Sequence, residues 1–169
     1  MSFFDYIIDS VLVLLVLIQM RERPMSRRVL IRPIVILAVA VVSYLHGIPS
    51  QGNDLALLGV FLMIGGVIGL ASGVTVMMQR TAAGVVTLRA GWWSAFFWVL
   101  GMGSRFGFIY WITHSGAADV GRFSANHQIT GAEAWTVALL GMAVAEVLLR
   151  TGVIAQRWRS LQSAAVGLA

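Results

Sequence analysis

The stretch Leu55–Met78, LALLGVFLMIGGVIGLASGVTVMM, is 24 residues without a charge, a proline or an amide. As a helix it reaches roughly 36 Å, enough to cross a hydrocarbon core of about 30 Å with some tilt. Gly65, Gly69 and Gly73 recur in it every fourth residue. That spacing puts three side-chain hydrogens in a row on one helix face, where a neighbouring helix can approach closely. The reading is a central membrane helix with the other spans packed around its glycine groove. Internal packing is favoured over a homodimer face.

Composition agrees. Of 169 residues 59% are hydrophobic and 11% charged, where soluble domains carry about 25% charged residues. There is no cysteine, which excludes disulfides, thiolate metal ligands and thiol–disulfide exchange. The net charge of +5 comes from twelve basic residues, all arginine. They flank apolar stretches, so membrane orientation explains them better than nucleic acid does. The first residues, MSFFDYIID, carry two acids and no base before the apolar run. A cleavable signal has a basic start, so this segment is expected to stay as a spanning helix.

Outward from the glycine helix, the chain reads as an all-α membrane bundle of five spans: about 3–20, 29–45, 55–78, 92–113 and 132–149. They form one domain, 1–160, followed by a flexible tail, 161–169. Arg32 and Pro33 interrupt the start of the second span, and proline is tolerated in a first helical turn. Residues 79–91 join spans three and four, with Val85–Leu88 as the second arm of a small hairpin. His114–Gly131 is the one long polar loop. Ten of the twelve arginines (residues 21, 23, 27, 28, 32, 80, 89, 150, 157 and 159) fall on one face of this layout. Asp5, Asp54, Asp119 and Glu133 fall on the other. The positive-inside rule then places the N-terminus outside and the C-terminus in the cytoplasm.

Two charges lie deep inside the last two spans, Arg105 and Glu146. Arg105 is about 20 Å from the cytoplasmic end of span four and 10 Å from the outer one. Such a charge costs about 2.5–3.5 kcal/mol near mid-bilayer, so it should face protein and meet an acid. Asp9, roughly 9 Å deep in span one, matches its depth. The expectation is an Asp9–Arg105 pair, with Asp5 as second candidate. Gly103 and Gly107 would let the opposite face of span four pack closely. Glu146, about 9 Å from the cytoplasmic end of span five, has Arg32 and the i,i+4 neighbour Arg150 as candidate partners. Such pairs either fix helix register or belong to an ion, proton or polar-ligand path. A path would need polar links, for which Ser10, Ser43, Ser72, Thr75 and Ser104 are available.

His46, His114 and His127 all fall on the outer side of this layout. Imidazole ligates metals and haem, and Asp54, Asp119 or Glu133 could complete a site. The spacings match no metal motif, and three solvated loop histidines is the plainer reading. No catalytic triad, phosphate loop or carboxylate pair names a reaction.

Several stretches carry a resemblance: RERPMSRR into RPIVIL, SYLHGIP after span two, GLASGVTV before VTLRAGWW, and FFWVLGMGSR. Over residues 20–112 the chain resembles small uncharacterised actinobacterial membrane proteins, some grouped with the CcdC-like family named from cytochrome c biogenesis. The resemblance implies a small multi-pass protein of the bacterial cytoplasmic membrane and transfers no catalytic residue. Without cysteine, the chain cannot carry reducing equivalents as a thiol transporter would. The functional expectation is a non-enzymatic accessory, assembly or regulatory subunit with a membrane-protein partner in the lipid bilayer. Haem or metal handling on the outer face, and a small transporter or channel component, are the alternatives.

Overall fold

A computed structural model describes residues 23–44, 47, 51–81 and 85–166. In chain order these form β1 (Arg23–Pro24), α1 (Arg27–Tyr44), α2 (Asp54–Val74), β2 (Val76–Arg80), β3 (Val86–Ala90) and α3 (Trp92–Trp111). A π turn (Ile112–Gly116), α4 (Ala117–Asn126) and α5 (Ala132–Val166) follow. The π turn keeps α3 and α4 in one continuous 35-residue helix, Trp92–Asn126. Among the described residues, three helices are long and apolar enough to cross a membrane: Asp54–Val74, Trp92–Asn126 and Ala132–Ser163.

Four long helices are therefore present among the described residues, where five spans were expected. The expected first span, 3–20, lies outside the described residues. The expected second span corresponds to α1, which begins inside the arginine-rich segment and carries Pro33 within it, past its first turn. Its apolar part, Leu30–Ser43, reaches only about 21 Å. Within the expected tail, 161–169, α5 is helical to Val166, and residues 167–169 lie outside the described residues.

The central helix ends earlier than its apolar run. At Thr75 the hydroxyl turns back onto the carbonyls of Ala71 (2.8 Å) and Ser72 (3.2 Å), and Val76 starts a strand. Val74, Thr75 and Val76 are β-branched, which weakens helix and favours strand. Arg157 of α5 receives the exposed helix end. Its Nη1 lies 3.2 Å from the Gly73 carbonyl and 2.8 Å from those of Val74 and Val76. A cation at the C-terminal carbonyls complements the helix dipole.

The hairpin expected in 79–91 is present and begins sooner, at Val76. Strands β2 and β3 pair antiparallel, Val76 opposite Ala90 and Arg80 opposite Val86. On the other side of β3 sits β1, Arg23 opposite Leu88, giving the order β1-β3-β2. Pro24 is tolerated because β1 is an edge. Arg23, Arg80, Arg89 and Arg157 are thereby gathered at one end of the bundle.

Helix α2 runs parallel to α5 and antiparallel to α3. Gly65 and Gly69 abut the backbone of Met142 and Glu146, and a Cβ at either would collide with those residues' carbonyl oxygens. At Gly73 a Cβ would stand 3.0 Å from Val153 and 3.1 Å from the Arg150 carbonyl. The glycine stripe thus seats α5, which presents Met142, Glu146 and Arg150 at the same four-residue spacing. Across the other junction, Ser72 and Ser94, both fully buried, each donate to the other's carbonyl (3.4 and 3.1 Å). At Gly103 and Gly107, expected to pack closely, no atom of the described residues lies within 4 Å of a built Cβ.

The opposite end is closed by a polar clasp. Asp54, 2% exposed, accepts from the Thr130 amide (2.9 Å) and hydroxyl (2.5 Å). Asn53 bonds the carbonyls of Gln128 and His127, both at 3.0 Å. Gly52, at φ +54°, is pressed against the Gln128 carbonyl. The loop expected over 114–131 shrinks to 127–131, since the helix continues to Asn126. An i,i+3 Asp119–Arg122 pair runs along that last stretch and supports it as a solvated helix.

Candidate functional site

The two intramembrane charges meet each other. Arg105 Nη2 donates to Glu146 Oε2 at 2.8 Å. The side chain of Arg105 is 12% exposed and that of Glu146 4%. Arg105 lies about 20 Å along its helix from Trp92, and Glu146 about 21 Å from Ala132. In an antiparallel pair of such long helices these depths coincide. Spans ending at 113 and 149 place the two at different depths, which favours Asp9 and Arg32 as partners; the longer helices remove that difference. Arg32 instead lies exposed on α1. Arg150, one turn beyond Glu146, is half-buried. Asp9 and Asp5 lie outside the described residues.

Two glycines make the niche. Gly69 admits the backbone of Glu146, and Gly101 admits its carboxylate: a Cβ on Gly101 would stand 2.5–2.7 Å from the carboxylate oxygens and carbon. Gly101 is one turn before Arg105, so α3 supplies the cation and the cleared space from one face. Sequence reading missed Gly101, although its i,i+4 spacing to the intramembrane arginine was a usable signal. One donor remains over. Nη1 of Arg105 is buried and has no acceptor among the described residues.

The polar side chains that might have linked this pair to water are occupied locally. Ser72 and Ser94 bond each other's backbone, Thr75 bonds its own helix, and Ser104 donates to the Gly101 carbonyl at 3.1 Å. Ser43 is exposed on α1, and Ser10 lies outside the described residues. Chemically, the arrangement holds two helices at one depth, with the neighbouring Ser72, Ser94, Thr75 and Ser104 hydroxyls bonded to backbone carbonyls.

Among the described residues, His114 and His127 do not come together. His46 lies outside the described residues. His114 places Nδ1 2.9 Å from the Tyr110 carbonyl and stacks on that tyrosine at 4.0 Å. His127 repeats this on Phe123, also at 2.9 and 4.0 Å. Thirteen residues of helix and turn separate the two by roughly 20 Å. Among the described residues no group of three or more histidines and carboxylates could hold a metal ion. Asp54 is engaged by Thr130 and Asp119 by Arg122. Comparison with protein-family models, curated proteins and solved structures gives no match to this chain.

Proposed function

We propose that the chain is a non-enzymatic subunit of the membrane, working as an accessory, assembly or regulatory component through contact with other membrane proteins. One observation carries this reading: among the described residues, the buried polar side chains Glu146, Ser72 and Ser94 are spent on protein partners, Glu146 on Arg105 and the serines on each other's carbonyls, with one Arg105 donor left over. A conduit would leave such groups lining a path, whereas a scaffold uses them to fix helix register. A first span over 3–20, were it to bring Asp9 to the depth of Arg105, would supply the acceptor for the remaining donor. Apolar side chains on α1, including Ile36, Val39 and Val42, are broadly exposed and serve as contact surface.

Photo-crosslinkers placed at Ile36, Val39 and Val42 in native membranes test this reading. Discrete adducts with the same one or two membrane proteins are expected. Lipid adducts alone at all three positions would contradict it.

The same proposal puts the N-terminus outside and the arginine-rich sheet in the cytoplasm. Because the chain lacks cysteine, single Val85→Cys and Gln128→Cys variants can be labelled cleanly. A membrane-impermeant maleimide applied to intact cells is expected to label position 128 and spare position 85. The reverse pattern would overturn the orientation.

A further inference from the structure

A second feature lies at the end of the bundle away from the sheet. Phe108, Trp111, Asp119, Val120, Phe123 and Trp135 line a cavity of about 290 Å³. Four of the six are aromatic, one is a carboxylate, and Val120 completes the wall. Trp135 sits at the centre, its ring centroid 5.2 Å from that of Phe108 and 6.0 Å from that of Phe123. Its indole Nε1 donates to Ser124 Oγ at 3.0 Å, which fixes the ring. Phe123 is pinned from behind by the stacked His127.

The π turn sets the remaining wall. Gly116 lies beneath the Trp111 indole, so close that a Cβ there would be 2.5–2.8 Å from ring carbons. The wider turn and the missing side chain let Trp111 lie back over the helix. Inserted π turns of this kind recur where a helix must re-aim side chains.

Aromatic faces carry negative charge density, and Asp119 adds a formal negative charge. A cation is therefore the complementary occupant. Asp119 is the lining's only side-chain acceptor; the indole N–H groups of Trp111 and Trp135 are donors, which cannot replace a cation's hydration. A metal ion or primary ammonium would lose its hydration there without replacement. A quaternary ammonium needs no hydrogen bonds and gives up little hydration. We propose that this cavity binds a trimethylammonium group, either of a free small cation or of a lipid headgroup. Asp119 now bonds Arg122 (2.5 Å), but both side chains are more than half exposed. Such pairs are weak, and the ligand takes the place of Arg122.

The test is tryptophan fluorescence of the full chain in a maltoside detergent, titrated with choline. The neutral isostere 3,3-dimethylbutan-1-ol serves as control, and nanodiscs of phosphatidylcholine or phosphatidylglycerol report the lipid source. Saturable quenching by choline, with no saturable response to the neutral isostere, is the result expected of a free cation. A spectral change in phosphatidylcholine discs alone, abolished by Asp119→Asn, is that expected of a headgroup. In either case Asp119→Asn and Trp111→Leu should weaken the response at least tenfold, and Arg122→Ala should strengthen it severalfold. Asp119 is exposed, so Asp119→Asn keeps the fold and decides the matter even if Trp111→Leu does not. Equal response to the neutral isostere, no saturable response to any ligand, or indifference to Asp119→Asn would overturn the proposal.

Discussion

Arg105→Leu is expected to strip most of the folded protein from the membrane, although it removes the costliest residue to insert. The reason lies with the partner left behind. Glu146 is 3% exposed and enclosed by Gly69 and Gly101, so no water can replace the lost guanidinium. Removing one member of a buried pair costs about 3–5 kcal/mol, against a total stability of only about 5–15 kcal/mol. Glu146→Leu should do similar damage, because it strands the guanidinium and pushes a branched side chain against Gly101. Arg105→Lys keeps the charge but loses the planar donor fork, and is expected to fall between. Asp9→Asn should cost less than either, since the Glu146 bond survives. Protein level in membranes and the thermal midpoint in mild detergent read all four. Normal levels and an unchanged midpoint for Arg105→Leu would show that the pair contributes nothing.

The second large effect is expected at the glycine stripe, and it is graded. At Gly65 and Gly69 even a methyl group runs into backbone carbonyls of α5, which cannot rotate away. Overpacking a well-fitted core typically costs about 1–3 kcal/mol. Here the forced separation also pulls on the Arg105–Glu146 bond, so Gly69→Ala should lie at or above the top of that range. At Gly73 the first obstacle is the Val153 side chain at 3.0 Å, which can shift, and Gly73→Ala should be milder. Gly59, on the same helix, has no atom of the described residues within 4 Å of a built Cβ. There alanine should be neutral or stabilise by up to about 1 kcal/mol through helix propensity. Thermal midpoints in the order Gly59→Ala, Gly73→Ala, then Gly69→Ala are the expected result. Equal midpoints would mean that the stripe does not seat α5.

What could be read from residues alone, and what could not, divides along physical lines. An uncharged run with glycine at every fourth position leaves few options, so the place of α2 was legible. Its C-terminal end was not, because an apolar β-branched stretch satisfies helix and strand alike until Arg157 and β3 supply partners. The segment 114–126 looked like loop because it is polar. Polarity there reflects solvation of a helix that has left the apolar layer, not absence of helix. The arginine–glutamate pairing was missed for a related reason. Depths were counted from drawn span ends, while the real helices overrun them by 13 residues at Asn126 and 17 at Val166. Gly101 carries a sequence signal in its i,i+4 spacing to Arg105, but that spacing points to a carboxylate niche only once Glu146 is found beside it.

The central claim is that Arg105 and Glu146 are present for each other, as a structural unit. The most direct measurement is a double-mutant cycle in thermal stability and membrane level: Arg105→Met, Glu146→Leu and both together. If the pair is structural, the double variant should recover most of the stability lost in either single one, since apolar residues of similar volume can replace a buried ion pair. If the two losses simply add, the residues do not act as a pair and the account of this bundle's core is wrong.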